Sequence, residues 1–185
     1  MKNSRFVAVC GIAAALIFLL SSIPQTWGIP FLGLLPILVV IVGFRDIGLS
    51  VFVSVFAGVV SWLFSYVRPT VVSEFFHTNP LLPIFPRFIA GMIAHFASVL
   101  TFKITKKNIW ATCIVGGAIG SFFNTMLVVC SLYLFVPYVR DNNSTLLAYI
   151  VVVLPTAAIE LLINSLVVPI LVRPILTRKI SSILN

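Results

Sequence analysis

The sequence predicts an all-α integral membrane protein, a bundle of six transmembrane helices with both termini on the cytoplasmic side. Three observations carry that prediction. Of 185 residues, 61% are hydrophobic and 9% charged, with a mean hydropathy of +1.19, whereas about a quarter of a soluble domain is charged. The apolar residues fall into runs near the length of about 20 that a helix needs to cross hydrocarbon. Basic residues mark the ends of those runs, unequally on the two sides. In a soluble chain the net charge of +8 would suggest nucleic acid; here orientation and anionic membrane lipid account for it, and no nucleic acid partner is expected. The length fits one membrane-embedded domain over residues 1–185.

The first span, residues 6–22, follows Lys2 and Arg5 and imitates a signal peptide. Further spans follow, and no clear small-residue cleavage site precedes a soluble region, so it reads as an uncleaved helix. The second span, residues 29–44, is short and contains Pro36, so a kink or an incomplete crossing is expected. The third covers residues 47–67 and the fourth 81–102. The fifth lies within 110–137 and the sixth within 146–175; both runs exceed one crossing, which implies tilt or a projecting end. With the termini inside, Lys2, Arg5, Arg45, Lys103, Lys106, Lys107, Arg173, Arg178 and Lys179 fall on the cytoplasmic side, and only Arg68, Arg87 and Arg140 outside. Omitting the second span would put Arg45 outside and reverse every later loop, spoiling that bias.

The connections expected on the outer side are the irregular ones. Residues 21–30 are rich in turn formers and carry Trp27; residues 68–83 carry Glu74, His77, Asn79 and Pro80. Irregular segments on a rigid scaffold commonly bear function, which points to the outer face.

Enzyme signatures are absent: there is no HExxH, no GxxxxGK[ST] and no GxSxG. Cys10, Cys113 and Cys130 lie in apolar runs without a CxxC, and His77 and His95 are isolated. Neither a disulfide framework nor a metal site is expected, and no cofactor is implied. The informative residues are ionisable groups inside apolar runs. A charged carboxylate in hydrocarbon costs about 2.5–3.5 kcal/mol and so normally faces the bundle interior or water. Glu160 shares a helix face with Thr156 and Asn164; that face forms either an interhelical hydrogen-bond cluster or a ligand-lining surface. Arg87 follows Pro86, whose missing amide proton frees backbone carbonyls nearby. Its guanidinium has three options: lipid phosphate, Glu160, or a carboxylate ligand held bidentately. Gly91 and His95 continue the Arg87 face, and His95 alone reads as an interior histidine. Gly116 and Gly120 permit close helix approach, with Asn124 one turn beyond. Asn143-Ser144-Thr145 matches a glycosylation acceptor. In the first span Gly11, Ala14 and Ala15 form a smooth stripe, suited to packing within the bundle or to docking a partner helix.

The chain resembles the substrate-binding (S) components of energy-coupling factor (ECF) vitamin transporters. Its six-span hydropathy pattern is similar over nearly the whole length. Residues 10–16, CGIAAAL, are similar to the family's first-helix AxxxA segment, with Gly11 where the first alanine is expected. Residues 79–91, NPLLPIFPRFIAG, are similar to the family's NP…PR…G segment at the third outer loop and fourth helix. The resemblance implies a non-enzymatic, high-affinity vitamin-binding subunit in a prokaryotic cell membrane. A transmembrane coupling protein and two ATPases would be its partners. It implies a site near the outer surface, gated by the first and third outer loops, and a loaded subunit that topples in the bilayer to release its cargo inside. On this sequence the implied ligand-binding residues are Trp27, Asn79, Phe85, Arg87, His95, Asn124, Glu160 and Asn164; Gly11, Ala14 and Ala15 would dock the coupling protein. The PR-containing segment is most similar to the pantothenate-type branch. Pantothenate is a small anion rich in amide and hydroxyl groups, which Arg87 and the asparagines suit. Trp27 and Phe85 would instead sandwich a flat ring, which favours riboflavin-type, pyrimidine-type or pyridoxine-type relatives. Two other classes stay open: an intramembrane enzyme using Glu160 with His95, and a self-sufficient channel or carrier.

Overall fold

The computed structural model describes residues 3–22, 34–67, 73–137, 139 and 143–184, and among them there is no strand. The helices are α1 (Asn3–Ser22), α2 (Leu35–Phe44), α3 (Ile47–Val67), α4 (Ser73–Thr78), α5 (Leu81–Ile104), α6 (Ile109–Phe135) and α7 (Asn143–Leu184). Five stretches are long and apolar enough to cross a membrane: Ser4–Ser22, Ile47–Val67, Leu81–Ile104, Ile109–Phe135 and Val153–Pro174. With no water in hydrocarbon, such runs satisfy their backbone only as helices.

The second expected span differs. α2 has 10 residues, about 15 Å of helix against a hydrocarbon core of about 30 Å. Residues 29–33 of that expected span lie outside the described residues. Pro36 does not kink α2 but stands in its first turn, where a missing amide proton breaks no helical bond. Although short, α2 is central: Leu38 is 1% exposed, and Ile41 and Val42 are fully buried. α4 falls in the stretch expected to be irregular. Glu74 in its first turn and His77 in its last complement the helix dipole, and Phe76 is buried. α7 runs 42 residues, starting before and ending after the expected 146–175.

One end of the bundle collects the basic side chains. Arg45 stacks over the Phe102 ring at 3.5 Å, and Arg173 stands 5.8 Å over Trp110. The Phe6 ring packs beside Gly48, which brings Arg5 to the same end. The α5–α6 corner adds Lys103, Lys106 and Lys107. Arg45 closes α2 in the left-handed conformation (φ 49°) and donates its amide to the Ile41 carbonyl at 3.0 Å. The next residue opens α3, the Leu49 amide donating to Asp46 Oδ1 at 3.1 Å. Burial lowers the pKa of the Arg45 guanidinium, opposed by the nearby Cys113. Asn108 caps α6 by accepting from the Ala111 amide at 3.1 Å. α4 and the start of α5 lie at the other end, called here the far end.

Small residues set how closely the long helices approach. A Cβ added at Gly58 of α3 would lie 2.5 Å from Ile84 Cα of α5, and one at Gly91 would lie 2.8 Å from Ser54 Cβ. Gly116 and Gly120 provide the close approach expected of them: added Cβ atoms would meet Val42 Cγ2 at 2.8 Å and Ala94 Cβ at 3.1 Å. Between them, a Cβ added at Gly117 would lie 3.0 Å from the Asn164 carbonyl oxygen of α7. Gly116 and Gly120 thus share one face of α6 toward α2 and α5, and Gly117 serves α7 from another.

Candidate functional site

Helix geometry sets the depth of each polar side chain. Phe102 beneath Arg45, and Trp110 beside Arg173, define a common level at the basic end. Arg87 stands 15 residues from Phe102, Asn124 14 from Trp110 and Glu160 13 from Arg173. At about 1.5 Å per residue these are rises of about 22, 21 and 20 Å. The three residues therefore form one layer toward the far end.

Within that layer Arg87 is half-buried, and its Nη1 donates to the Pro83 carbonyl at 3.0 Å, in the turn that Pro86 interrupts. The Glu160 carboxylate on α7 lies within Coulombic reach of it. The Phe76 ring of α4 is 6.0 Å from the guanidinium carbon on the far-end side. Below Arg87 opens a narrow crevice whose enclosed space is about that of a single water molecule. Leu34, Ile37, Leu38 and Ala90 make its aliphatic walls, and Gly91 and Gly120 leave it room. Ser54 is its second polar group, with a buried hydroxyl that has no hydrogen-bonding partner among the described residues.

Two further buried oxygens lack partners among the described residues, Asn124 Oδ1 and Asn164 Oδ1. Asn164 is fully buried, and its Nδ2 donates to Ser121 Oγ at 2.8 Å. Gly117, Ser121 and Asn124 recur at helical spacing, so the contacts of the first two with Asn164 place Asn124 on the α7-facing side of α6. Glu160 lies one turn from Asn164 toward the far end. An unpartnered buried polar atom costs about 1–3 kcal/mol, and in native proteins such atoms cluster where a ligand or water binds. The site thus offers a guanidinium, a carboxylate, two amide oxygens and a hydroxyl beside an aliphatic wall: hydrogen bonds for a small polar molecule, with a cation for an anionic group on it.

The expected residues do not all gather there. Arg87, Asn124 and Glu160 do, and Asn164 lies one turn beneath them, about 6 Å toward the basic end. His95 shares the face of Arg87 but lies eight residues away, about 12 Å toward the basic end. It is 5% exposed, and its Nδ1 pairs with Ser50 Oγ at 3.0 Å. Ser50 Oγ donates to the Asp46 carbonyl at 2.9 Å, so an Nδ1–H tautomer donating to Ser50 completes the chain. Asn79 is occupied in the corner before α5, its Oδ1 accepting from the Leu81 amide at 3.0 Å. Phe85 is 52% exposed; two residues from Arg87, it points to the opposite side of α5. Trp27 lies outside the described residues. Sequence reasoning missed Ser54, Ser121, Phe76 and the α2 wall. The two serines carried a signal, the small-xxx-small spacing of Ser54 with Gly58 and of Ser121 with Gly117.

On α1, Cys10, Ala13 and Ile17 face the bundle at 8, 1 and 1% exposure. Gly11 and Ala15 are exposed, Ala14 is half-buried, and nothing lies within 4 Å of a Cβ added at Gly11.

Neither a curated protein nor a solved structure matches the chain. The model of the family described as ECF transporter, substrate-specific component, matches residues 5–172, and the chain belongs to that family.

Proposed function

We propose that this substrate-specific component binds a small anionic vitamin, pantothenate, in the layer formed by Arg87, Asn124 and Glu160, with Asn164 one turn beneath it. Family membership makes the chain a multi-pass membrane transport subunit that binds a small-molecule substrate, not an enzyme, and that works with a transmembrane coupling protein and ATPases. The observation that carries the finer reading is a guanidinium and a buried Ser54 hydroxyl, without a partner among the described residues, on an aliphatic cleft, with Asn124 and Glu160 at the depth of Arg87. Arg87 would exchange its Pro83 carbonyl for the vitamin carboxylate, in a charge-assisted and bidentate pair. The hydroxyl and amide N–H groups of pantothenate would reach Asn124 and Asn164, and its dimethyl-substituted carbon the walls formed by Leu34, Ile37 and Leu38. The cleft walls are aliphatic, which suits the dimethyl-substituted carbon of this compact molecule.

The basic end would face the cytoplasm, with both termini inside a prokaryotic cell membrane and α2 completing a sixth crossing, since positive charge is retained on that side. Gly11, Ala14 and Ala15 would dock the coupling protein, because a smooth exposed stripe lets a partner helix approach closely in lipid. Trp27, Asn79 and Phe85 would act at the mouth of the site. His95 is assigned to the scaffold.

Calorimetry of purified protein against a panel of B vitamins tests the reading. Pantothenate should bind at one site per chain with submicromolar affinity, and Arg87→Ala should weaken it about a hundredfold, as expected for truncating one partner of a buried charge pair. Equal losses for anionic and neutral vitamins would remove Arg87 from the carboxylate, and no binding across the panel would overturn the reading altogether.

A further inference from the structure

We infer that the first turn of α2 is an anion subsite, and that it holds the ligand's carboxylate jointly with Arg87 and Ser54. The inference rests on reading the Arg87 layer as the ligand site and names the donors that complete it.

The position of α2 comes first. Its 10 residues end next to Arg45, level with Phe102 at the basic end. Leu35 stands ten residues from Arg45, a rise of about 15 Å, and Gly91 eleven from Phe102, about 16 Å. The first turn of α2 therefore lies at the depth of Gly91, one turn beneath Arg87, and its amides are directed along the axis toward that layer. Leu34, Ile37 and Leu38 share the crevice with Arg87 and Gly91.

This turn has no cap of its own. The first helical bond runs from the Leu38 amide to the Leu34 carbonyl at 3.1 Å, so the Leu35 and Ile37 amides have no acceptor within the helix. Leu34 offers no side-chain oxygen, and the first turn holds no acidic residue. The neighbouring helices are finished differently: side-chain oxygens of Asp46, Asn79 and Asn108 accept amides from the first turns of α3, α5 and α6. The opposite end of α2 is compensated, with Arg45 beside its negative pole. What is left is a positive pole facing the crevice.

Ser54 supplies the independent observation. It is fully buried on the α3 side of the same crevice, and its hydroxyl has no partner among the described residues. A serine within a helix can return its hydroxyl to the carbonyl one turn back, as Ser50 does to Asp46. Ser54 does not, and its oxygen is aimed at Gly91. A guanidinium, a hydroxyl and two first-turn amides thus surround a space that admits one small group. All four can donate, which suits an anion. Inside a membrane, such a helix start is worth most, because no water competes for its amides. Pro36, lacking an N–H, withholds a third amide from the same turn.

The test is amide NMR on the full chain in detergent micelles, isotope-labelled at the isoleucine amides. The Ile37 resonance is the one lost in Ile37→Val. Sodium chloride replacing sodium gluconate at constant ionic strength is the probe that needs no vitamin, gluconate being too bulky for the crevice. The Ile37 amide proton should move downfield and saturate. Pro36→Ala adds the third amide and should lower the chloride midpoint about threefold. Pantothenate should move the same resonance, and its neutral alcohol pantothenol should not. An Ile37 signal that chloride leaves in place overturns the inference. So does an unchanged or higher midpoint in Pro36→Ala with the other isoleucine signals at their wild-type positions; if those signals are displaced, the wild-type titration decides. Pantothenate binding that leaves Ile37 unmoved would also overturn it, with the vitamin panel still standing. A chloride response in a protein that binds no vitamin would keep the anion subsite and remove pantothenate alone.

Discussion

Replacing Gly91 by alanine should separate α3 from α5, and the structure sets the size of the effect. The new Cβ would lie 2.8 Å from Ser54 Cβ and closer still to Ser54 Oγ. The hydroxyl has no partner among the described residues, so rotating it away sacrifices no hydrogen bond to them. The carbon–carbon overlap remains, roughly 1 Å inside ordinary contact. Both atoms are rooted directly in helix backbone, so one helix must shift. The same seam is tight at Gly58, where an added Cβ would lie 2.5 Å from Ile84 Cα, so a shift at Gly91 also strips close contacts there. Overpacking of this kind costs about 1–3 kcal/mol. Ser54→Gly deletes the opposing carbon at an intrinsic helix cost of about 0.5–1 kcal/mol. The double variant should recover about 1–2 kcal/mol relative to the sum of the singles. Ser54→Ala keeps the offending carbon and should rescue little. Unfolding of the four proteins in mixed micelles with rising sodium dodecyl sulfate measures the cycle. Additivity within about 0.5 kcal/mol would refute the steric argument.

Three further outcomes follow from the same contacts. Gly11→Leu should leave bundle stability within about 0.5 kcal/mol, as for an uncrowded surface position, yet abolish co-purification with the coupling protein; persistent assembly would remove the stripe from docking. His95→Gln breaks the Ser50 bond and should cost about 1 kcal/mol of stability while vitamin affinity stays within about twofold, less than 0.5 kcal/mol. A large loss of affinity with unchanged stability would return His95 to the binding site. Asn124→Leu removes a buried oxygen that has no partner among the described residues and should raise stability by up to about 1 kcal/mol while weakening the vitamin about tenfold; lower stability with intact binding would contradict its role.

Much of the scaffold was legible because lipid leaves a backbone few options. The third span, 47–67, is the observed α3 at both ends, and 81–102 differs from α5 by two residues at its end. The smooth stripe on α1 was legible too, though not which way it faced. α4 was not legible: six residues carry no period, and what holds them is Tyr66, Ser65 and Val128, contributed by other helices. Arg87 and Glu160 stood out because an ionisable residue in an apolar run is costly wherever it points. Ser54 and Ser121 are small and cheap to place, and gave no comparable alarm.

Sequence by itself determined that this is an all-helical membrane protein with its basic residues in the corners, and it singled out Arg87, Glu160, Asn124 and Asn164 as polar residues in apolar runs. Only the tertiary structure decided which of these share a depth. Periodicity assigns a residue to a face of its helix, and on that ground Arg87 and His95 were indistinguishable. Depth depends on how neighbouring helices slide against each other, which the packing of Arg45 on Phe102 and of Gly117 on Asn164 sets. That register brings Arg87, Asn124 and Glu160 into one layer and leaves His95 about two turns below it, bonded to Ser50.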